Sequence, residues 1–133
     1  MNELHGKILS IQESDSMAIV KLDCDGTILS SIVLEKQEYS SLIAIDKIVK
    51  MIFKETEVGL STSHDLRISY RNQLPCQILE IKAGKLLAQV RLKFGKHVFS
   101  SVITTESIKR LELFVDQEVT ALIKTNELML APL

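Results

Sequence analysis

The chain has no tryptophan, two prolines, five glycines and two cysteines in 133 residues, and only 5% of it is aromatic. Each shortage closes off a class of protein. Few aromatics and a formal net charge of −1 leave neither stacking platforms nor a basic groove for a nucleic acid. There is no Pro- or Gly-rich stretch and no run of like charge, so no disordered tail or low-complexity linker is expected. Cys24 and Cys76 lie far apart without CxxC spacing, and buried free thiols are expected rather than a disulfide. His5, His64 and His97 are scattered, and no metal site is expected. The longest apolar runs, such as Met17-Ala18-Ile19-Val20, fall far short of the roughly 20 residues that cross a bilayer, so no membrane partner is expected. The first residues, Met1-Asn2-Glu3-Leu4-His5, show no basic region followed by an apolar core, and a cytoplasmic location is the expectation. No nucleophile–base set, P-loop or DNA-reading helix is visible. The reading is therefore of no enzyme, no catalytic residues and no organic cofactor.

What is present is a repeat. Hydrophobic residues make up 46% and charged residues 25%, an ordinary globular composition. Laid on itself at an offset of 70, the sequence matches Asn2 with Asn72, Leu4 with Leu74, Ile8 with Ile78 and Ile11 with Ile81. Ala18, Val20 and Leu22 fall on Ala88, Val90 and Leu92, and Ser30-Ser31 falls on Ser100-Ser101. Asp46, Val49, Lys54, Glu57 and Leu60 fall on Asp116, Val119, Lys124, Glu127 and Leu130. With Leu9 on Leu79 this makes fifteen ungapped identities over residues 2–63, where chance would give about four. The domains are thus residues 1–63 and 71–133, joined by 64–70. A unit of about 60 residues is marginal alone, so the two copies are expected to pack together and to oligomerise.

Each copy reads the same way. Residues 4–12 and 74–82, then 17–23 and 86–94, alternate apolar and polar as half-buried strands do. Turns follow at Asp25-Gly26 and Gly95-Lys96, with third strands at 27–34 and 97–103. A short helical segment is predicted near 35–42 and 105–112, then strands at 48–54 and 57–61 and at 118–124 and 127–131. The fold class is all-β with short helices: two tandem OB-like five-stranded barrels.

Charge separates the copies. Residues 1–63 carry six Lys and ten acids, net −4; residues 70–133 carry nine Lys plus Arg and six acids, net +3. In the basic copy, Ser69-Tyr70-Arg71-Asn72-Gln73-Leu74 leads into the first strand, Thr104-Thr105-Glu106-Ser107 opens a helix, and Lys124-Thr125 follows the fourth strand. A tetrahedral dianion needs charge neutralisation and several donors. Arg brings a permanently charged fork, Lys a point charge, and helix-start amides with Ser or Thr hydroxyls fill the remaining acceptor positions. The same residues serve equally well as turn caps, a helix cap and a solvated edge charge.

These stretches resemble the Mop domain, the molybdenum-pterin-binding or TOBE-type domain. Its Ser-x-Arg-Asn-x-Leu pattern is matched at Ser69–Leu74, its Ile-Thr-x-x-Ser at Ile103–Ser107, and its closing Lys-Ala/Thr-x-Glu-Val-x-Leu-Ala at Lys124–Ala131. The resemblance covers nearly the whole chain and is similar to that of the free-standing di-Mop storage proteins. It implies intracellular molybdate or tungstate binding and storage, in a homo-oligomer, a trimer, with oxyanions held between subunits. A second reading is a ligand-sensing regulatory module acting with a transport or transcription partner. By resemblance, Ser69 and Arg71 come from one subunit, and Asn72 is a further oxyanion-binding candidate. Thr104, Ser107, Lys124 and the backbone amide of Thr125 come from its neighbour. Copy one keeps only Asn2 and Lys54 of the pattern. Leu34 and Gln37 stand where copy two has Thr104 and Ser107.

Overall fold

A computed structural model describes residues 1–35 and 41–133. In chain order the first repeat contains β1 (Asn2–Ser14), β2 (Met17–Cys24), β3 (Thr27–Val33), β4 (Ile48–Phe53) and β5 (Gly59–Ser61). The second contains β6 (Asn72–Ala83), β7 (Leu87–Phe94), β8 (His97–Thr104), α1 (Thr105–Arg110), β9 (Glu118–Ile123) and β10 (Met129–Ala131). The expected strands are all found, as is the helix of copy two. Its counterpart in copy one, with Gln37, lies mostly on residues 36–40, outside the described residues.

The alternation seen in sequence is the alternation of burial. Along β7, Ala88, Val90, Leu92 and Phe94 are buried while Leu87, Gln89, Arg91 and Lys93 face solvent. The two meanders repeat each other in detail. Each first strand bulges at the same place, between Ile8 and Ser10 and between Ile78 and Glu80. Asp46 and Asp116 both adopt positive φ, 71° and 76°, and their amides donate to the carbonyls of Ile8 and Ile78 at 2.8 and 2.7 Å. Asp tolerates that left-handed conformation better than most residues, which accounts for one polar identity of the repeat. The turns differ: Asp25 and Gly26 both have positive φ, against Gly95 alone in copy two.

One expectation is corrected. The sequence suggested that each repeat closes its own barrel. Instead the short last strands are exchanged. The two sheets run β10-β4-β1-β2-β3 and β5-β9-β6-β7-β8. Gly59–Ser61 pairs with Leu122–Thr120 of copy two, and Met129–Ala131 pairs with Ile52–Lys50 of copy one. The boundary between repeats is therefore not the boundary between sheets. The pattern could not show this, because β4 and β9 are repeat-related edges of nearly equal character.

The exchange joins the halves into one core, in which Phe53 of copy one meets Phe99 of copy two edge-to-face, centroids 5.4 Å apart. The polar identities gather at this seam. Ser31 and Ser101 donate through Oγ to the carbonyls of Leu128 and Val58, each just before an exchanged strand. Glu57 and Glu127 lie on the matched turns before those strands; burial and the neighbouring Glu57 carboxylate push the Glu127 carboxyl above its ordinary range. At the position of Gly6, where a Cβ would lie 2.8 Å from Met51 Cε, copy two has Cys76 and sets Ala121 in place of Met51. The ladder register is the same in both copies, so side-chain volume is traded across the pair without moving the strands.

Candidate oxyanion site

The approach to β6 is folded back on the strand it feeds. Gln73 accepts from the Leu66 amide at 3.2 Å, and its Nε2 donates to the carbonyls of Leu66 and Tyr70, both at 3.1 Å. The loop carrying Ser69 and Tyr70 is thus pinned by a residue that the sequence reading passed over. Its signal was its place inside the Ser-x-Arg-Asn-x-Leu pattern.

Arg71 and Lys124 stand side by side. Asn72 pairs with Ile123 in the β6–β9 ladder, so Arg71 and Lys124 are the next residues outward on the two strands. Lys124 Nζ lies 6.0 Å from the centroid of the Tyr70 ring, at the limit of a cation–π contact. Both cations are exposed, and among the described residues neither forms an ion pair with a carboxylate. Thr125 follows directly, in the turn whose Lys124 carbonyl accepts from the Glu127 amide at 3.0 Å.

Thr104 and Ser107 form a cap as expected. Thr104 Oγ1 accepts from the Ser107 amide at 3.1 Å and donates to Ser107 Oγ at 2.8 Å. That geometry leaves the Ser107 hydroxyl hydrogen free to point elsewhere. The pair is nonetheless remote from Arg71. Thr104 aligns with Leu87, beside the far end of β6, whereas Arg71 precedes its first residue. Twelve residues of strand separate the two ends, roughly 36 Å along the chain.

Within one chain Lys124 and Thr125 lie at the Arg71 end of the sheet, and Thr104 with Ser107 lies at the other. The strand exchange lays the Lys124 turn against β3 of copy one, where the Ile32 amide donates to the Thr125 carbonyl at 3.1 Å. Leu34, Glu35 and Asn126 line a cleft there. One placement drawn from the resemblance is corrected, that of Asn72 and Asn2. Both are buried, with their amides committed to main chain: Asn72 to Ser30 and Asn2 to Ser100. Neither is placed to hold a ligand. Lys54 is exposed, like Lys124, but is followed by Glu55 where copy two has Thr125.

The remaining titratable groups are structural. Burial pushes Cys24 up to about 11 and Cys76 up to about 12, and both are free thiols as expected. His97 Nε2 meets Asp25 Oδ2 at 2.5 Å, linking the β2–β3 turn to β8 and holding the Asp25 carboxyl below its usual range. His64 pairs with Thr120 at 2.9 Å and His5 with Glu3 at 2.9 Å. Among the described residues no group of three His, Cys, Asp or Glu could hold a metal ion, and no helix is long and apolar enough to cross a membrane.

The model of the TOBE domain family matches residues 68–130. The chain is 34% identical over 91 residues to the molybdenum-pterin-binding protein MopB of Rhodobacter capsulatus, covering 68% of this chain and 32% of that protein. It is 31% identical over 114 residues to the molybdenum transport protein ModE of Azotobacter vinelandii, covering 84% of this chain and 42% of that protein. It thus spans well under half the length of either. Molybdenum-pterin-binding protein 1 of Clostridium pasteurianum is 33% identical over 66 residues, which is 49% of this chain and 97% of that one. Among solved structures, the cytoplasmic molybdate-binding protein ModG, with molybdate bound, superposes with a TM-score of 0.92 at 26% identity, over 99% of this chain and 96% of that chain. The chain therefore belongs to the molybdenum-pterin-binding, or Mop, family.

Proposed function

We propose that this protein binds molybdate, or its congener tungstate, and stores or buffers that oxyanion in the cytoplasm. The observation that carries the reading is that Arg71 and Lys124 lie just beyond the Asn72–Ile123 pair at one strand end, both exposed and, among the described residues, neither in an ion pair with a carboxylate. Two like charges held together are unfavourable until an anion arrives, and a dianion balances both. Arg71 offers a fork of donors to two oxygens, Lys124 a third contact, and the Thr125 amide and Ser69 hydroxyl lie on the same segments. The likeness to ModG, which was solved with molybdate, supports the choice of anion.

Thr104 and Ser107 complete such a site only from another subunit, since they sit at the far end of the sheet. That separation supports a homo-oligomer, a trimer by the family resemblance, in which the Arg71–Lys124 end of one protomer meets the Thr104–Ser107 end of the next. Binding needs no catalytic group, and discrimination against sulfate follows from the size of the enclosed tetrahedron.

Native mass spectrometry after incubation with molybdate, tungstate or sulfate tests this directly. The expected result is one oligomer that takes up whole numbers of molybdate or tungstate and releases sulfate on dilution. Uptake of none of the three by a folded protein would overturn the reading.

A further inference from the structure

Asn72 follows Arg71 but faces the other way. Strand alternation points Arg71 to solvent and Asn72 into the interior, where it is fully buried. Its amide makes a two-point bond to a single residue of the other repeat. Oδ1 accepts from the Ser30 amide at 2.7 Å, and Nδ2 donates to the Ser30 carbonyl at 2.9 Å. Two antiparallel bonds to the backbone N–H and C=O of one residue fix both the distance and the rotation of the strand that carries them.

That anchor matters because this end of β6 is supported on one side only. The first β6 residue paired with β7 is Gln77, so Asn72 to Cys76 have β9 as their sole strand neighbour. Without a second hold, the strand end bearing Arg71 could hinge on β9. The bond to Ser30 in β3, in the other sheet, supplies the second hold. Asn2 makes the matching bonds to Ser100, at 2.7 and 3.0 Å, in a repeat that has no arginine beside it.

We propose that Asn72 is a positioning residue for oxyanion binding: through the backbone it shares with Arg71, and by clasping Ser30 of the first repeat, it fixes Arg71 beside Lys124. It touches no ligand. This rests on the molybdate reading above. It gives copy one a defined part in a site whose cations both belong to copy two.

The test is calorimetric titration with sodium molybdate, alongside thermal unfolding, for Asn72→Ala, Asn2→Ala, Arg71→Ala and the double variant Arg71→Ala/Asn72→Ala. Both asparagine variants remove an equivalent inter-repeat clasp, so similar losses of Tm are expected. Affinity should part them: Asn72→Ala weakens molybdate binding about fivefold or more, and Asn2→Ala changes it by less than about twofold. The double variant should bind no more weakly than Arg71→Ala alone, because Asn72 acts through Arg71. If Asn72→Ala does not fold, Asn72→Ser is titrated in its place, with the same expectations. Additive losses in the double variant, or equal affinity losses in the two asparagine variants, would overturn the positioning role. A wild type that folds but takes up no molybdate would overturn the functional reading and this inference together, and is told apart by needing no variant.

Discussion

The two halves of this chain share fifteen aligned identities, strand register and bulge positions, yet they differ in charge and at the strand end where an anion would bind. Copy one carries net −4 and follows Lys54 with Glu55; copy two carries net +3 and follows Lys124 with Thr125. Among the polar residues retained in both, Asn2 and Asn72 and Ser31 and Ser101 make the bonds that join the halves. The residues that diverged, Met1 against Arg71 and Leu34 against Thr104, line the ends of strands. A duplication of this kind keeps its seam under constraint in both copies, while one copy suffices to carry the cations. Because the last strands are exchanged, the acidic copy still forms one wall beside the basic copy's cations.

The largest expected effect tests whether the copies are alternative solutions of one core. Met51→Ala alone should cost about 2–5 kcal/mol by opening a cavity, and Gly6→Cys alone about 1–3 kcal/mol by overpacking against Met51. The double variant reproduces the Cys76 and Ala121 pairing of copy two. In chemical denaturation it should be less destabilised than the sum of the single changes. Simple additivity would break the equivalence of the two cores.

Next in size is the electrostatic contrast. Arg71→Ala should weaken molybdate binding more than tenfold, about 1.4 kcal/mol or more, by leaving the dianion undercharged. Thr125→Glu, which imports the acid of copy one, should weaken it by about tenfold through like-charge repulsion. Equilibrium dialysis against molybdate measures both. Unchanged affinity in Arg71→Ala would remove the arginine from the site.

The smallest effect concerns the seam. The Glu127 carboxyl is raised, so its proton is held more tightly in the folded chain than in the unfolded one. Its contribution is most favourable below the ordinary carboxylate range and is lost as pH rises through the raised value. Glu127→Gln should therefore flatten the dependence of Tm on pH across the mildly acidic range and raise Tm slightly near neutrality. A Tm lowered at neutral pH would show that the charge, not the proton, is what the turn needs.

Much of this was legible in the sequence. The repeat and the period-two alternation located the strands, and Thr104 with Ser107 marked the cap. What escaped was long-range. An offset of 70 makes β4 and β9 equivalent edges, so nothing local says which one Gly59–Ser61 will join. The exchange then lays the Lys124 turn against copy one. Asn72 was misread because a buried amide clasping a distant peptide and an exposed one awaiting a ligand look alike in a motif.

The central claim is that the binding cations belong to copy two while copy one shapes and supports their site. The matched lysines test it most directly, because Lys54 and Lys124 occupy the same place in the repeat and differ only in surroundings. Calorimetric titration of Lys124→Ala and Lys54→Ala with molybdate should show more than tenfold weakening in the first and less than about twofold in the second. Equal losses, or the greater loss in Lys54→Ala, would contradict it.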